Sequence, residues 1–186
     1  MLKIVTVPDD ALTVTTKSIV FFDGKLHQLV KDMEEVLNAQ VDPQGVGLAA
    51  PQVGVGLSLF IIKPTTKSLV KAYINPRILK SQILNPKSQI NSKFKIQNKK
   101  QRRKHHFEGC LSIPKIWSPV NRAKKLLLEY QTVDGEKKTE WFSGFAAVII
   151  QHEVDHLNGV LFTQRALEQK SQLYEEKKGK LVKLEY

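Results

Sequence analysis

GFAAVIIQHEVDHL, residues 144–157, is the more apolar of the two segments of this chain that show helical spacing. Ser143 precedes the segment as a candidate N-cap, and Asn158-Gly159 behind it is a typical helix stop. The first half, FAAVII, is entirely apolar, which is typical of a helix buried inside a domain. We therefore predict a helix over 144–157 at the centre of the fold.

The second half of this helix carries an H-E-x-x-H motif, from His152 to His156. Residues four apart lie on the same face of a helix, so both imidazoles can reach one metal ion. Glu153 can serve beside them as a general base and acid. Two surface histidines flanking an acid by chance would be the alternative, but an apolar face that points to a pocket favours a metal site. That face is formed by Phe145, Val148 and Ile149.

A catalytic metal ordinarily has three protein ligands, and the motif supplies two. One metalloprotease class has a third histidine where this chain has Phe162. Another class uses a glutamate further along the chain, and the candidates here are Glu168, Glu175 and Glu176, which lie in a polar tail. Cys110, the only cysteine, can be core filler, a nucleophile with a histidine as its base, or the third ligand. We predict the ligand, because it completes a set that the motif leaves incomplete.

The rest of the chain alternates short strands and turns. Residues 24–38 have the spacing of a helix, with Asp23 as N-cap, and residues 42–56 are too rich in Gly and Pro for one. We predict strands at 57–62 and 69–75, a hairpin around Asp134-Gly135, and a polar helix or frayed tail over the last twenty residues. The pattern indicates an α+β fold, with mixed or antiparallel sheets packed around the central helix. One domain spans 1–186, with a polar C-terminal tail from about residue 168.

Composition indicates a globular protein of the reducing cytoplasm. The hydrophobic content is 41%, a single cysteine cannot form an intramolecular disulfide, and the N-terminus lacks the apolar core of a signal peptide. No run of apolar residues is long enough for a membrane span, so no membrane partner is expected.

The net charge of +11 is concentrated in one segment. Ten of the 29 Lys and Arg residues lie between Arg77 and His106, a stretch with no Asp or Glu. This basic insertion, at about 77–106, is either a solvated segment or a surface for an anionic partner such as RNA.

Three separated motifs resemble those of the peptide deformylase family. They are GVGLAAPQ at 45–52, EGCLS at 108–112 and QHEVDH at 151–156, with INP at 74–76 and LNGVLF at 157–162 in agreement. The resemblance covers roughly residues 1–170, except for the basic insertion. It implies a hydrolase that removes the formyl group from N-formylmethionyl nascent peptides and releases formate. A zinc endopeptidase of the H-E-x-x-H type, or a basic RNA-binding module with a decayed active site, remains as the alternative.

The resemblance also implies roles for individual residues. Cys110, His152 and His156 would bind one divalent metal, Fe(II) in the cell, with Zn, Ni or Co possible in a purified sample. Glu153 would be the general acid and base, while the Gln52 amide and the Leu111 backbone N–H would donate to the formyl oxygen. The substrate-binding residues implied are Gly45, Val46, Gly47, Phe145, Val148 and Ile149.

Some positions depart from the family pattern. Trp117 stands near the place where some bacterial members carry a peptide-binding arginine, and Arg122 is better placed to pair with Glu108. The chain takes thirty-one residues from Arg77 to Phe107, where the family uses about a dozen. Because deformylases act beside the ribosome exit tunnel, the insertion or the C-terminal tail is a candidate for contact with ribosomal RNA. We assign His105 and His106 to the insertion, with His106 a candidate to border the pocket.

Overall fold

The computed structural model describes residues 2–82 and 107–185. In chain order the helices there are α1 (Gly24–Asn38), α2 (Gly144–Leu157) and α3 (Phe162–Glu168). The strands are β1 (Gly47–Ala49), β2 (Leu59–Ile62), β3 (Lys71–Gln82), β4 (Phe107–Cys110), β5 (Ile113–Pro119), β6 (Lys125–Gln131), β7 (Lys137–Ser143), β8 (Tyr174–Lys177) and β9 (Lys180–Lys183).

The strands form two antiparallel sheets. One has five strands in the order β1-β2-β3-β6-β7, and the other has four in the order β4-β5-β8-β9. Every pairing between neighbouring strands is antiparallel. The α+β class with antiparallel sheets is therefore confirmed.

Strands β1 and β2 of the five-stranded sheet are buried on both faces, which explains why β2 is apolar without a break. Leu59 and Ile61 belong to a core cluster with Met33 and other residues of α1. Phe60 and Ile62 belong to a second cluster with residues of α2. Successive side chains of a strand point to opposite faces, so α1 and α2 cover the two sides of the sheet. The predicted central position of α2 is confirmed.

Both predicted helices have the bounds expected from the sequence. Asp23 caps α1 by accepting from the backbone N–H groups of Lys25 and Leu26. Ser143 occupies the N-cap position of α2, although its side chain makes no capping hydrogen bond. No helix within the described ranges is long and apolar enough to cross a membrane.

The predicted strands and hairpin are present, and β3 is longer than expected. Gly135 adopts a φ of 85° in the turn between β6 and β7, as the Asp-Gly pair predicts. Strand β3 continues to Gln82 because it pairs with β6, so residues 77–82 of the predicted insertion belong to the sheet. The remainder of the insertion, with His105 and His106, lies outside the described residues.

The prediction for the last twenty residues was wrong. Instead of a polar helix or frayed tail, the chain that follows α3 forms a hairpin of β8 and β9 that extends the second sheet. Lys178 and Gly179 both have positive φ values, the geometry of a two-residue hairpin turn. Strand β8 then pairs with β5, and this tertiary contact outweighs the helical tendency of the Lys- and Glu-rich composition.

Candidate active site

Three side chains able to ligate a metal meet between β4 and α2. Cys110 comes from the end of β4, and His152 and His156 come from α2. Their ligating atoms all lie within 4.8 Å of one another. The Cys110 Sγ lies 3.2 Å from His156 Nε2. The structure thus brings together the three residues that the sequence predicted as ligands.

The backbone of β4 turns Cys110 toward the helix. The register of β4 against β5 shifts between Gly109 and Cys110, an irregularity of the kind that redirects a side chain beside a site. Cys110 also packs in a small apolar cluster with Phe162 of α3, which follows directly after α2. The thiol is buried, with α3 on one side and His156 of α2 on the other.

A buried ion-pair network orients one of these histidines. Glu108 Oε2 lies 3.1 Å from His152 Nδ1, which leaves Nε2 as the ring nitrogen available to the cluster. The Arg122 guanidinium makes two hydrogen bonds to Glu108 and a further one to Asp155. Burial alone would raise the pKa of Glu108, but hydrogen bonds from His152 and Arg122 hold it below its usual value. The expected pairing of Arg122 with Glu108 is confirmed.

The donor set suits a divalent transition metal. Burial lowers the pKa of His156 well below its usual value, and the charges of His152 and Arg122 add to this effect, so its ring is in the neutral form that ligates. For His152, burial acts in the same direction, but hydrogen bonds with Cys110 and Glu108 outweigh it and raise the pKa, so a metal ion that binds there would displace a proton from the ring. A thiolate with two imidazoles, one of them backed by a carboxylate, is a typical set for Zn, Fe, Co or Ni.

Glu153 is buried beside the three candidate ligands. Its Oε2 and His156 Nδ1 are the buried side-chain polar atoms of the described residues that lack a hydrogen-bond partner. Burial raises the pKa of Glu153 to about 7, so the carboxyl can gain or lose a proton near neutral pH. The free oxygen, in a pocket next to a metal-binding cluster, is suited to holding a water or a substrate group.

Gln52 enters the site from a short 3₁₀ helix, Ala50–Val53, which follows β1. Its Oε1 accepts from the backbone N–H of Ala49 at 2.8 Å, which fixes the orientation of the amide. The amide nitrogen then lies 3.3 Å from both Cys110 Sγ and Ser112 Oγ. Ser112 was not predicted as a site residue, although it lies inside the EGCLS stretch, and it is fully buried.

A pocket of about 240 Å³ opens beside these residues. Most of the predicted substrate-binding residues line it, and so does Leu111 with its predicted backbone donor. The predicted lining residues are Val46, Gly47, Phe145, Val148 and Ile149. The lining also includes Phe107, which was not predicted, and Trp117, which was expected only as a departure from the family pattern. Such side chains carry no local signal of their own, because they reach the pocket only through strand pairing.

Gly45 packs closely against the end of α1. It lies outside the pocket lining, and a β-carbon there would stand 2.7 Å from Leu37 Cδ1, at the end of α1. Close packing against the helix accounts for this glycine. A role for Gly45 in approach of the substrate backbone stays a prediction.

A helix with the H-E-x-x-H motif, a third ligand from a neighbouring strand and an acid in an apolar pocket define a metal-dependent hydrolase. Comparison with known proteins gives the family. The polypeptide deformylase family model matches residues 1–172. The chain is 35% identical over 181 residues to the peptide deformylase of Desulfotalea psychrophila, covering 95% of this chain and 94% of that protein.

Solved structures agree. The chain resembles the crystal structure of peptide deformylase from Thermotoga maritima with a TM-score of 0.71 and 33% identity, over 89% of this chain and 97% of that one. It also resembles a Met-Ala-Ser-bound class I type b peptide deformylase from Acinetobacter baumannii, with a TM-score of 0.69 and 30% identity, over 88% of this chain and 97% of that one. The chain belongs to the polypeptide deformylase family, whose members are metal-dependent hydrolases.

Proposed function

We propose that this protein hydrolyses the formamide at the N-terminus of N-formylmethionyl peptides, giving formate and a free amino terminus. The observation that carries the proposal is the meeting of Cys110, His152 and His156 beside Glu153 and Gln52 at one pocket. A zinc endopeptidase is not favoured, because the third candidate ligand is a thiol from β4 rather than an acid.

Cys110, His152 and His156 would hold one divalent metal, which we infer to be Fe(II) in the cell. When bound, such an ion polarises a carbonyl and lowers the pKa of water. A site with this donor set binds Zn(II) at least as tightly as Fe(II), so supply and handling determine the metal that a purified sample contains.

Glu153 is proposed to move the proton. With a pKa raised to about 7 by burial, its carboxylate can take a proton from the attacking water and its carboxylic acid can return one to the leaving amine nitrogen. Its unpartnered Oε2 leaves an oxygen free for this transfer.

Gln52 and the Leu111 backbone N–H are proposed to stabilise the formyl oxygen as it becomes negatively charged. Because Ala49 N–H holds Oε1 of Gln52, the amide nitrogen is the end that lies toward Cys110 and the pocket. A donor that is already oriented needs no rearrangement during the reaction, which is the main requirement of an oxyanion hole.

The methionine side chain is proposed to lie among Val46, Phe145, Val148 and Ile149 in the apolar part of the pocket. Strand β1 is an edge of the first sheet and β4 an edge of the second, so an extended peptide can pair with backbone at the pocket. The Acinetobacter baumannii deformylase was solved with Met-Ala-Ser bound, which supports this class of substrate.

The basic insertion is proposed to bring the enzyme to the ribosome in the cytoplasm, where formylated nascent chains occur. Eight Lys and Arg residues lie between positions 87 and 104. Neutralising them should weaken ribosome binding at low salt while turnover of a short formyl-peptide is unchanged. Neutralising Lys177, Lys178, Lys180 and Lys183 instead would test the C-terminal hairpin. Ribosome binding that is unchanged when the insertion is neutralised would contradict the proposal, and a loss on changing the hairpin alone would move the contact to the C-terminal hairpin.

The activity is tested by purifying the protein without oxygen, measuring the bound metal and assaying formate release from formyl-Met-Ala-Ser. Acetyl-Met-Ala-Ser is the matched control, because it differs at the acyl group alone. We expect release from the formyl-peptide and little hydrolysis of the acetyl-peptide. No formate with Fe, Co or Ni loaded, or cleavage at internal peptide bonds instead, would overturn the proposed function.

A further inference from the structure

The C-terminal hairpin follows the part of the chain that the family model matches. That match ends at residue 172, and β8 begins at Tyr174. The hairpin nevertheless belongs to the sheet that carries Cys110, because β8 pairs with β5 and β5 pairs with β4. It is therefore close to the site although it lies outside the matched residues.

A row of directly opposed residues crosses the three strands. Gly109 of β4 faces Trp117 of β5, and Trp117 faces Tyr174 of β8. Opposed residues in antiparallel strands have their side chains on the same face, so Trp117 and Tyr174 lie on one side of the sheet. Gly109 leaves room for the indole, since a β-carbon there would stand 2.7 Å from Trp117 Cζ3. Trp117 consequently lies across the backbone of β4, beside Cys110.

Side chains of the hairpin hold two aromatic residues of the pocket lining. Trp117 Nε1 donates to Glu176 Oε2 at 3.0 Å, and the ring of Phe107 packs edge-on against Tyr174 with centroids 5.3 Å apart. Phe107 and Trp117 both line the pocket, and Phe107 is 42% exposed. Because Glu176 takes up the indole N–H, Trp117 offers ring surface rather than a polar group to a ligand.

We propose that Phe107 and Trp117 form an apolar subsite for the side chain of a residue that follows the formylmethionine, and that the C-terminal hairpin positions it. Trp117 is the specificity-determining residue, and Glu176 is a positioning residue that acts through it. The subsite favours aromatic and large aliphatic side chains and disfavours acidic ones, because the Glu176 carboxylate lies at its edge. This inference rests on the proposed function and names the selectivity of the same site.

The test compares formate release from four peptides, formyl-Met-Ala-Ser, formyl-Met-Phe-Ser, formyl-Met-Ala-Phe and formyl-Met-Asp-Ser. For whichever of the two phenylalanine peptides is the better substrate, we expect kcat/KM to exceed that for formyl-Met-Ala-Ser by about 10-fold, mainly because KM is lower. The aspartate peptide should be the poorest substrate of the four.

Variants then separate a subsite from a merely structural role. Trp117→Ala should abolish the preference for phenylalanine, and so should Trp117→Leu, which keeps an apolar cover over Gly109. Glu176→Ala should reduce the preference to about 2- to 3-fold, while Glu176→Gln, which keeps an acceptor for the indole N–H, should restore it. Glu175→Ala is the matched control, because Glu175 alternates with Glu176 along β8 and pairs with Lys177 instead.

Metal content should be unchanged in all of these variants, and kcat should be unchanged in the control Glu175→Ala. A wild-type preference that survives in Glu176→Ala would overturn the positioning role, and one that survives in Trp117→Leu would overturn the subsite. If the Trp117 variants lost kcat equally for every peptide, Trp117 would have a structural role alone, and this result would also overturn the subsite. If the wild type releases formate from all four peptides equally, this inference fails by itself, whereas no release from any of them contradicts the proposed function.

Discussion

Gly47 lies directly against the carboxylate of Glu153. A β-carbon at Gly47 would stand 2.3 Å from Glu153 Oε1 and 2.8 Å from Ile149 Cγ2. The second glycine of the GVGLAAPQ stretch is thus required by the helix that carries the proposed acid and base. Two motifs more than a hundred residues apart in sequence are in van der Waals contact, and this contact sets how closely β1 can approach α2.

Gly47→Ala should therefore impair the site. Because the added methyl group has no space, Glu153 or β1 must move, and overpacking of this kind costs about 1–3 kcal/mol of folding free energy. We expect lower free energy of unfolding and a large loss of formate release. Gly56→Ala is the control, since among the described residues no heavy atom beyond its two chain neighbours lies within 4 Å of a β-carbon there. If Gly47→Ala had the turnover and stability of the wild type, the claim that a side chain at this position crowds Glu153 would be wrong.

Loss of any one candidate ligand should remove the metal. Cys110→Ala, His152→Ala and His156→Ala each leave two donors, which is too few for a tightly held catalytic ion. Metal analysis after dialysis should give near-zero occupancy for all three. His27→Ala, which changes an exposed histidine on α1, should keep the wild-type content. Full occupancy in Cys110→Ala would exclude the thiol as a ligand.

Gln52→Leu should slow turnover without removing the metal. The change keeps a side chain of similar size and deletes the proposed donor to the formyl oxygen, so we expect kcat to fall by about 10²- to 10³-fold. Gln169→Leu is the control, because that side chain also bonds to backbone, at Asn121, but away from the pocket. An equal fall in both variants would argue for a general structural effect.

Arg122→Met should destabilise the fold. Arg122 is 8% exposed and neutralises two buried carboxylates, so its removal leaves Glu108 and Asp155 poorly compensated. Breaking a buried pair of this kind costs about 3–5 kcal/mol, although Arg165 still pairs with Asp155. Urea unfolding measures the loss. Lys138→Met, which breaks an exposed pair with Glu136, should have no measurable effect.

Stability should fall at basic pH through Tyr130. Burial, with the Glu140 carboxylate 3.1 Å from its hydroxyl, raises the pKa of Tyr130 from 10.0 to about 12 in the folded state. The unfolded phenol loses its proton first, so rising pH favours unfolding until the folded phenol also ionises. Between pH 9 and pH 11 the wild type should lose about 1 kcal/mol more unfolding free energy than Tyr130→Phe, because contact with solvent screens part of the shift. Parallel pH profiles for the two proteins would contradict the raised pKa.

Local physics made several parts of the fold predictable from the sequence. The bounds of α1 and α2 follow from helical spacing, the Asp23 cap and the Asn158-Gly159 stop, all of which act within a few residues. The turn at Asp134-Gly135 follows from backbone preferences in the same way. Two histidines one helical turn apart made the ligand pair visible, and the need for a third donor indicated the single cysteine.

Other features depended on contacts between distant segments. Strand β3 extends to Gln82 because β6 supplies its hydrogen-bond partners, and the Lys- and Glu-rich C-terminus becomes a hairpin because β5 accepts β8. The support of His152 by Glu108, the crowding of Gly47 against Glu153 and the place of Trp117 in the pocket lining arise where strands and helices meet. The sequence by itself determined the chemistry of the donors, since residue type sets which atoms can ligate or transfer protons. Only the tertiary structure determined their burial, their partners and the shape of the pocket, because these depend on which surfaces pack together.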